Sequence, residues 1–189
     1  MPKLGAEPIR KAALINATIA TVGSRGSLDV TVAQIAREAG MSTALAHHYF
    51  GSKERIFLAA MRHILSQYRE ATMAALHSAG SPRERLFAIV GASFGGANFE
   101  RQTIAAWLNF YALALVDAEA ARLLRVYHRR LRSNLVVAMR PLIGAAAEDT
   151  ARTLGALIDG VYLRAALSDE ADAETAERLT LDYLKKVLP

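Results

Sequence analysis

The sequence predicts an all-α protein, and three observations carry that reading. Ala and Leu, both strong helix formers, are abundant in a chain of 189 residues that is 52% hydrophobic. Apolar residues recur at three- and four-residue spacing, with almost no sustained alternation. Cap residues, glycines and prolines cut the pattern into segments of helical length. The apolar fraction is enough to bury a core, and the length suits one compact domain or two small ones.

The first helix is expected from Pro8 to about Val22, with Pro8 in its first turn and Ile9, Ala12/Ala13, Ala17 and Ala20 on the helical period. Gly23 and Gly26 are its expected stop. The second starts after Thr31, where Thr31-Val32-Ala33-Gln34 fits a capping box. Gly40-Met41 makes a turn, Ser42 caps a third helix through Phe50, and Gly51 ends it. Ser52 caps a long fourth helix, 53–78. Ala79-Gly80 stops it, and Ser81-Pro82-Arg83-Glu84 starts the next with a cap, a first-position proline and a box glutamate. That helix reaches Gly95-Gly96. Further helices are expected over about 101–116, 118–139, 149–167 and 173–187, with Pro141 and Gly144 separating two of them and Ser168-Asp169 the last two.

Charge is unevenly placed. The chain carries a formal +5. Residues 1–63 hold +4 of it and the remaining 126 residues +1. A basic head on a near-neutral body favours an anionic partner for the head.

Residues 31–50, TVAQIAREAGMSTALAHHYF, have the make-up of a helix-turn-helix. Ala36 is small enough for two helices to cross, and Gly40 tolerates the positive φ of a tight turn. Leu45 is the expected inner anchor of the second helix, with Tyr49 or Phe50 near its end. Thr43, Ala44, Ala46, His47 and His48 then form an outer face of short or hydrogen-bonding side chains that could approach base edges. Amides at the start of that helix and Lys53 just beyond it could hold phosphates. A surface hairpin of two short helices has the same spacing; the basic excess tips the balance toward DNA.

The run from Thr31 to Lys53, with Ile35-Ala36, Ala39-Gly40-Met41-Ser42, His48-Tyr49-Phe50 and Ser52-Lys53, resembles the DNA-binding signature of the TetR family of bacterial repressors. Met1–Gly5, Pro8-Ile9-Arg10, Ala105–Leu108, Arg129–Leu131 with Ser133–Leu135, and Ala156–Gly160 through Leu163–Ser168 are similar to its choline-responsive branch, which represses glycine betaine synthesis genes. The resemblance implies an N-terminal three-helix helix-turn-helix DNA-binding domain, 1–52, and a helical ligand-binding and dimerisation domain, 53–189, with 53–78 as the linking helix. It implies a homodimer through the last two helices, a palindromic operator, and repression of choline uptake and betaine synthesis genes that choline, or another small ligand, releases or modulates. The expected DNA-contacting set is Arg10, Thr31, Ser42, Thr43, Ala44, His47, His48, Tyr49 and Lys53.

Trp107, Phe110 and Tyr111 share a helix face. They suit a core cluster, or a cage for a quaternary ammonium, which has no N–H to donate and is held by aromatic faces and a carboxylate. Asp159 and Tyr162 lie three apart on an otherwise apolar helix, and a carboxylate there must be paired or functional. Asp159 could contact the ligand, pair with Arg164 or sit at an interface rim. Asn109 joins the candidate ligand set because of its aromatic neighbours.

Other chemistry finds no footing. Zero Cys removes disulfides, thiolate metal sites and a cysteine nucleophile. The five histidines lack metal-ligand spacing, and no phosphate loop, dinucleotide fingerprint or G-x-S-x-G is present. Neither an enzyme nor a cofactor is expected. The longest apolar run, Ile104–Val116, is interrupted by Asn109 and too short to span a bilayer. Asn16, Thr18 and Thr21 break the N-terminal apolar stretch, so an export signal is not expected and a cytoplasmic protein is.

Overall fold

A computed structural model describes residues 6–168 and 172–189. The Met1–Gly5 segment and Asp169 lie outside the described residues. The helices are α1 (Ala6–Arg25), α2 (Val32–Glu38), α3 (Thr43–Phe50), α4 (Lys53–Ser78), α5 (Pro82–Phe94), α6 (Arg101–Ala114), α7 (Ala118–Ile143), α8 (Ala147–Ala166) and α9 (Ala173–Val187). Single 3₁₀ turns, Gly96–Phe99 and Gly144–Ala146, precede α6 and α8.

The predicted caps form. Thr31 and Gln34 make a reciprocal capping box, as do Ser81 and Glu84. The Ser42 and Ser52 hydroxyls accept from the backbone N–H groups of Leu45 and Arg55. Each such cap satisfies a helix-end donor and contributes about 1 kcal/mol.

Two predicted stops do not act as stops. Helix α1 runs through Gly23 to Arg25. Gly23 is instead a crossing point: a Cβ there would lie 2.5 Å from Gln102 Cβ, so only glycine lets α1 and α6 approach this closely. The turn falls at Gly26, with φ +65°. Helix α7 likewise passes through Pro141. So near the helix end, a proline forfeits a single backbone hydrogen bond; Gly144, φ 54°, makes the actual break and donates its N–H to Arg140 O.

Helices α1, α2 and α3 gather at the N-terminal end of α4, closed by Leu14, Val22, Ile35, Ala36, Ala46 and Ile56. Helix α4 then continues into the body, where it packs on α5 and α7. Helix α5 is central to the body, touching α4, α7 and α9, and α7 lies against α5, α6 and α8. Helix α6 reaches both ends, because it packs on α1 as well as on α7 and α8.

Candidate nucleic-acid face and aromatic ligand site

In α3 the helical period puts residues 46, 49 and 50 inward. Ala46 is fully buried, and Tyr49 and Phe50 pack against the core. This corrects the expected outer face, which included Ala46, and the expected anchor, Leu45. Ala46 and Ala36 are both fully buried, and α2 packs on α3. Thr43, Ala44, His47 and His48 are exposed.

The remaining head residues divide by what they touch. Thr31 and Ser42 are exposed N-caps whose hydroxyls are engaged with the backbone. Arg10 is exposed on α1. Tyr49 lies beneath the Lys11 ammonium, 5.8 Å from ring centre, and Lys11 also pairs with Glu7 at 2.7 Å. Lys53 Nζ donates to Leu28 O at 3.1 Å, tying the start of α4 to the α1–α2 loop. His47 Nδ1 lies 2.9 Å from Gly51 O. A carbonyl only accepts, so Nδ1 donates here and Nε2 is the acceptor of the neutral ring.

A second constellation lies in the body, where a small cavity is bordered by Tyr68 of α4, Ser93 of α5, Asn98, Trp107 and Tyr111 of α6, Tyr127 of α7, and Asp159 and Tyr162 of α8. Trp107 stands 4.8 Å from the Tyr127 ring and 5.9 Å from Tyr111, centre to centre, and Tyr68 meets Tyr127 edge-on at 5.8 Å. Asp159 is the carboxylate of this cavity. Its Oδ1 accepts from the Tyr111 hydroxyl at 3.0 Å, and its Oδ2 lies 3.2 Å from His128 Nε2. Those two contacts, not Arg164, are its partners.

The phenols here are held neutral. Burial and then the Asp159 charge raise the Tyr111 hydroxyl far above the usual phenol range, and burial is the first cause at Tyr162, Tyr127 and Tyr68 as well. Tyr162 donates to Ser93 O at 2.8 Å and also contacts Asn98 O, while its ring stacks on Phe94. Ser93 Oγ donates to Ile89 O at 2.8 Å, so the Tyr68 hydroxyl donates to Ser93 Oγ, 3.1 Å away. These bonds lock the ring orientations. The result is a cluster of aromatic side chains around one carboxylate, packed closely enough that the cavity between them measures about 10 Å³; these are the groups that hold a cation lacking hydrogen-bond donors, and the rings must part to admit one.

Of the predicted ligand set, Trp107, Tyr111, Asp159 and Tyr162 border this cavity. Phe110 does not; it is fully buried behind Trp107, their rings 5.8 Å apart. Asn109 does not either. It points from the other flank of α6 to the α1–α2 loop, accepting from Leu28 N at 3.1 Å and donating to Gly26 O at 3.3 Å and Ala105 O at 2.9 Å. Sequence reasoning missed Tyr68, Tyr127 and His128. Tyr127 shares its face with Leu131 and Leu135, and Tyr68 shares one with Ile64 and Thr72, so both were legible as inward aromatics.

Comparison with known proteins shows the family. Residues 14–60 match the family described as bacterial regulatory proteins, tetR family, and residues 82–189 match the BetI-type transcriptional repressor C-terminal family. The chain is 52% identical to the HTH-type transcriptional regulator BetI of Brucella suis biovar 1, over 97% of this chain and 94% of that protein. It is 47% identical to the BetI of Rhizobium meliloti, over 97% and 92%. Among solved structures, a transcriptional regulator from Saccharomonospora viridis in complex with choline superposes with a TM-score of 0.85 at 22% identity, covering 94% of this chain and 96% of that one. A TetR transcription regulator from Haloarcula marismortui gives 0.86 at 22% identity, covering 96% and 100%. At that identity the structural likeness speaks for the fold.

Proposed function

The chain belongs to the TetR family of bacterial regulators, with a C-terminal half of the BetI type, and from that premise we propose a choline-responsive repressor whose aromatic cavity is the effector site. It is a DNA-binding transcriptional repressor and not an enzyme. The genes repressed are those for choline uptake and glycine betaine synthesis, and the protein acts in the cytoplasm. The observation that carries the ligand reading is the ring of Trp107, Tyr111, Tyr127 and Tyr68 around the Asp159 carboxylate. A trimethylammonium group spreads its charge over methyl surface, so aromatic faces attract it and a carboxylate balances it. The choline held by the S. viridis regulator of the same fold supports this choice.

The DNA-facing set is the exposed Thr43, Ala44, His47 and His48 of α3 with the amides at its start, supported by Arg10, Thr31, Ser42, Tyr49 and Lys53. Residues 1–52 form the head and 53–189 the body. Two copies join through α8 and α9, a reading supported by Leu163, Leu167 and Leu179, each about half or more exposed on those helices and the turn after α8. A dimer offers two recognition helices to a palindrome with half-sites about 34–36 Å apart, or a multiple of that. Ligand bound between α6, α7 and α8 acts on the head through α6, because the helix that carries Trp107 and Tyr111 also carries Asn109 at the α1–α2 loop. A coupling of about 1–3 kcal/mol changes occupancy roughly 5–150-fold.

The test is calorimetry of the full chain with choline, together with footprinting on promoter DNA of choline-uptake and betaine-synthesis genes. Micromolar-to-millimolar choline binding and one palindromic footprint weakened by choline are expected. A footprint that choline leaves unaltered, with no heat of binding, would assign the effector role to another molecule.

A further inference from the structure

The carboxylate of the cavity is already occupied. Asp159 Oδ2 faces His128 Nε2 at 3.2 Å across the α7–α8 seam, while Oδ1 holds the Tyr111 hydroxyl. The imidazole also lies parallel to the Tyr111 ring, with 22° between planes and 6.4 Å between centres, and 5.2 Å from the Tyr127 ring. Two cage walls and the counter-charge thus surround a side chain that can itself be a cation. A shallow depression outside the pair, bordered by Leu131, Arg132, Arg152 and Gly155, puts His128 and Asp159 between the cavity and the surface.

We propose that His128 is the specificity-determining residue of the cavity: it is the resident counter-cation of Asp159, and a permanently charged ligand binds in exchange for its proton. The proposal rests on the cation-binding reading given above. When imidazolium and carboxylate face each other, the site is already neutral, and a second cation meets repulsion from the ring. Deprotonated, His128 still donates Nε2–H to Asp159 and leaves the carboxylate charge to the ligand. Ligand binding therefore expels the His128 proton to solvent, and by reciprocity protonation weakens binding. A zwitterion or a neutral analogue gains less from the exchange, because its net charge does not replace the one lost.

The groups facing His128 leave it in that role. Helix α8 presents Asp159 and Arg152, and Arg152 pairs with Asp149 at 3.1 Å. Helix α6 presents Tyr111, neutral for the reasons given. On α7 itself, Arg132 pairs with Glu148 at 2.6 Å. Asp159 is thus the anion against the imidazole, and the two arginines are engaged by other carboxylates.

The experiment is calorimetric titration of the full-length protein with choline chloride from pH 5.5 to 8, the interval in which histidine ordinarily changes charge. It is run in two buffers of different ionisation heat and repeated with His128→Gln, which keeps a donor toward Asp159 and cannot titrate. Wild-type affinity should rise with pH, by up to about tenfold per unit for one linked proton, with proton release at the acid end. The His128→Gln variant should bind with a flat pH profile and no release. Wild-type binding that is flat with pH, or a slope retained in His128→Gln, overturns the exchange while leaving choline binding intact. Absence of choline binding in wild type at every pH overturns the ligand reading on which it rests. The thermal melt of His128→Gln, expected to match wild type because His128 is half-exposed, checks that the variant is folded.

Discussion

The Asn109 side chain accepts a hydrogen bond from the backbone N–H of Leu28, 3.1 Å away and 81 positions earlier in the chain. The same amide donates to Gly26 O, and Lys53 Nζ donates to Leu28 O. The loop between α1 and α2 is therefore pinned from two directions, by α6 of the body and by the first residue of α4. Two residues before Asn109 and two after it, Trp107 and Tyr111 turn to the cavity.

Asn109→Ala should uncouple the two. Choline affinity by calorimetry should stay within about twofold of wild type. The choline-induced drop in operator affinity, read by fluorescence anisotropy, should shrink several-fold, because removing each hydrogen bond weakens the joint by about 0.5–1.5 kcal/mol. An undiminished choline response would place the transmission path elsewhere.

Trp107→Ala should weaken choline binding by roughly 2- to 30-fold, the equivalent of about 0.5–2 kcal/mol for one aromatic face. Tyr111→Phe keeps the ring and removes the bond to Asp159 Oδ1, so its loss should be smaller. Phe110→Leu should lower thermal stability with little change in affinity, since Phe110 is buried behind Trp107. Equal loss of affinity in all three would mean that the site is assembled differently.

His47→Ala should reduce operator affinity and relax sequence preference, because His47 is exposed on α3 and its Nδ1 bond to Gly51 O leaves Nε2 as the free ring nitrogen. Arg10→Ala should weaken binding to all sequences alike and lower the salt slope by about one for each phosphate it no longer neutralises. Lys53→Ala should lower both DNA affinity and the melting temperature, since this ammonium also braces the head at Leu28. Gel-shift titrations at several salt concentrations separate these outcomes.

Gly23→Ala should destabilise the protein by about 1–3 kcal/mol, or roughly 2–4 °C in Tm for each kcal/mol. The added Cβ would press on Gln102 backbone and side chain at 2.5–2.6 Å, and neither can yield without moving α6. A melt unchanged from wild type would show that the α1–α6 crossing is looser than this.

Dimerisation through α8 and α9 predicts that Leu163→Arg with Leu179→Arg yields a monomer by sedimentation and abolishes binding to the palindrome while choline affinity survives. A dimer persisting in that variant would move the interface to another face.

Helix starts, the helix-turn-helix and the basic head were legible in the sequence because they depend on neighbours three or four residues apart. Thr31 with Gln34, Ser81 with Glu84 and the turn at Gly40 need nothing from the rest of the chain. Gly23 and Pro141 misled for the same reason. A glycine reads locally as a stop, and only α6 lying against α1 makes it a crossing point. The aromatic pattern on α6 announced a buried face, yet the pattern alone did not distinguish Trp107 and Tyr111 at the cavity from Phe110 behind it or Asn109 on the far flank.

The sequence by itself determined the helices, their caps and the family signature. The tertiary structure decided which faces meet. It joined Tyr111 to Asp159 across 48 residues, brought His128 to the same carboxylate and Tyr127 to the same cavity, and turned Asn109 toward the head. The physical reason is that helical periodicity specifies which side of a helix is apolar but carries no information on which other helix will cover it. A cavity walled by five helices exists only once all five are packed.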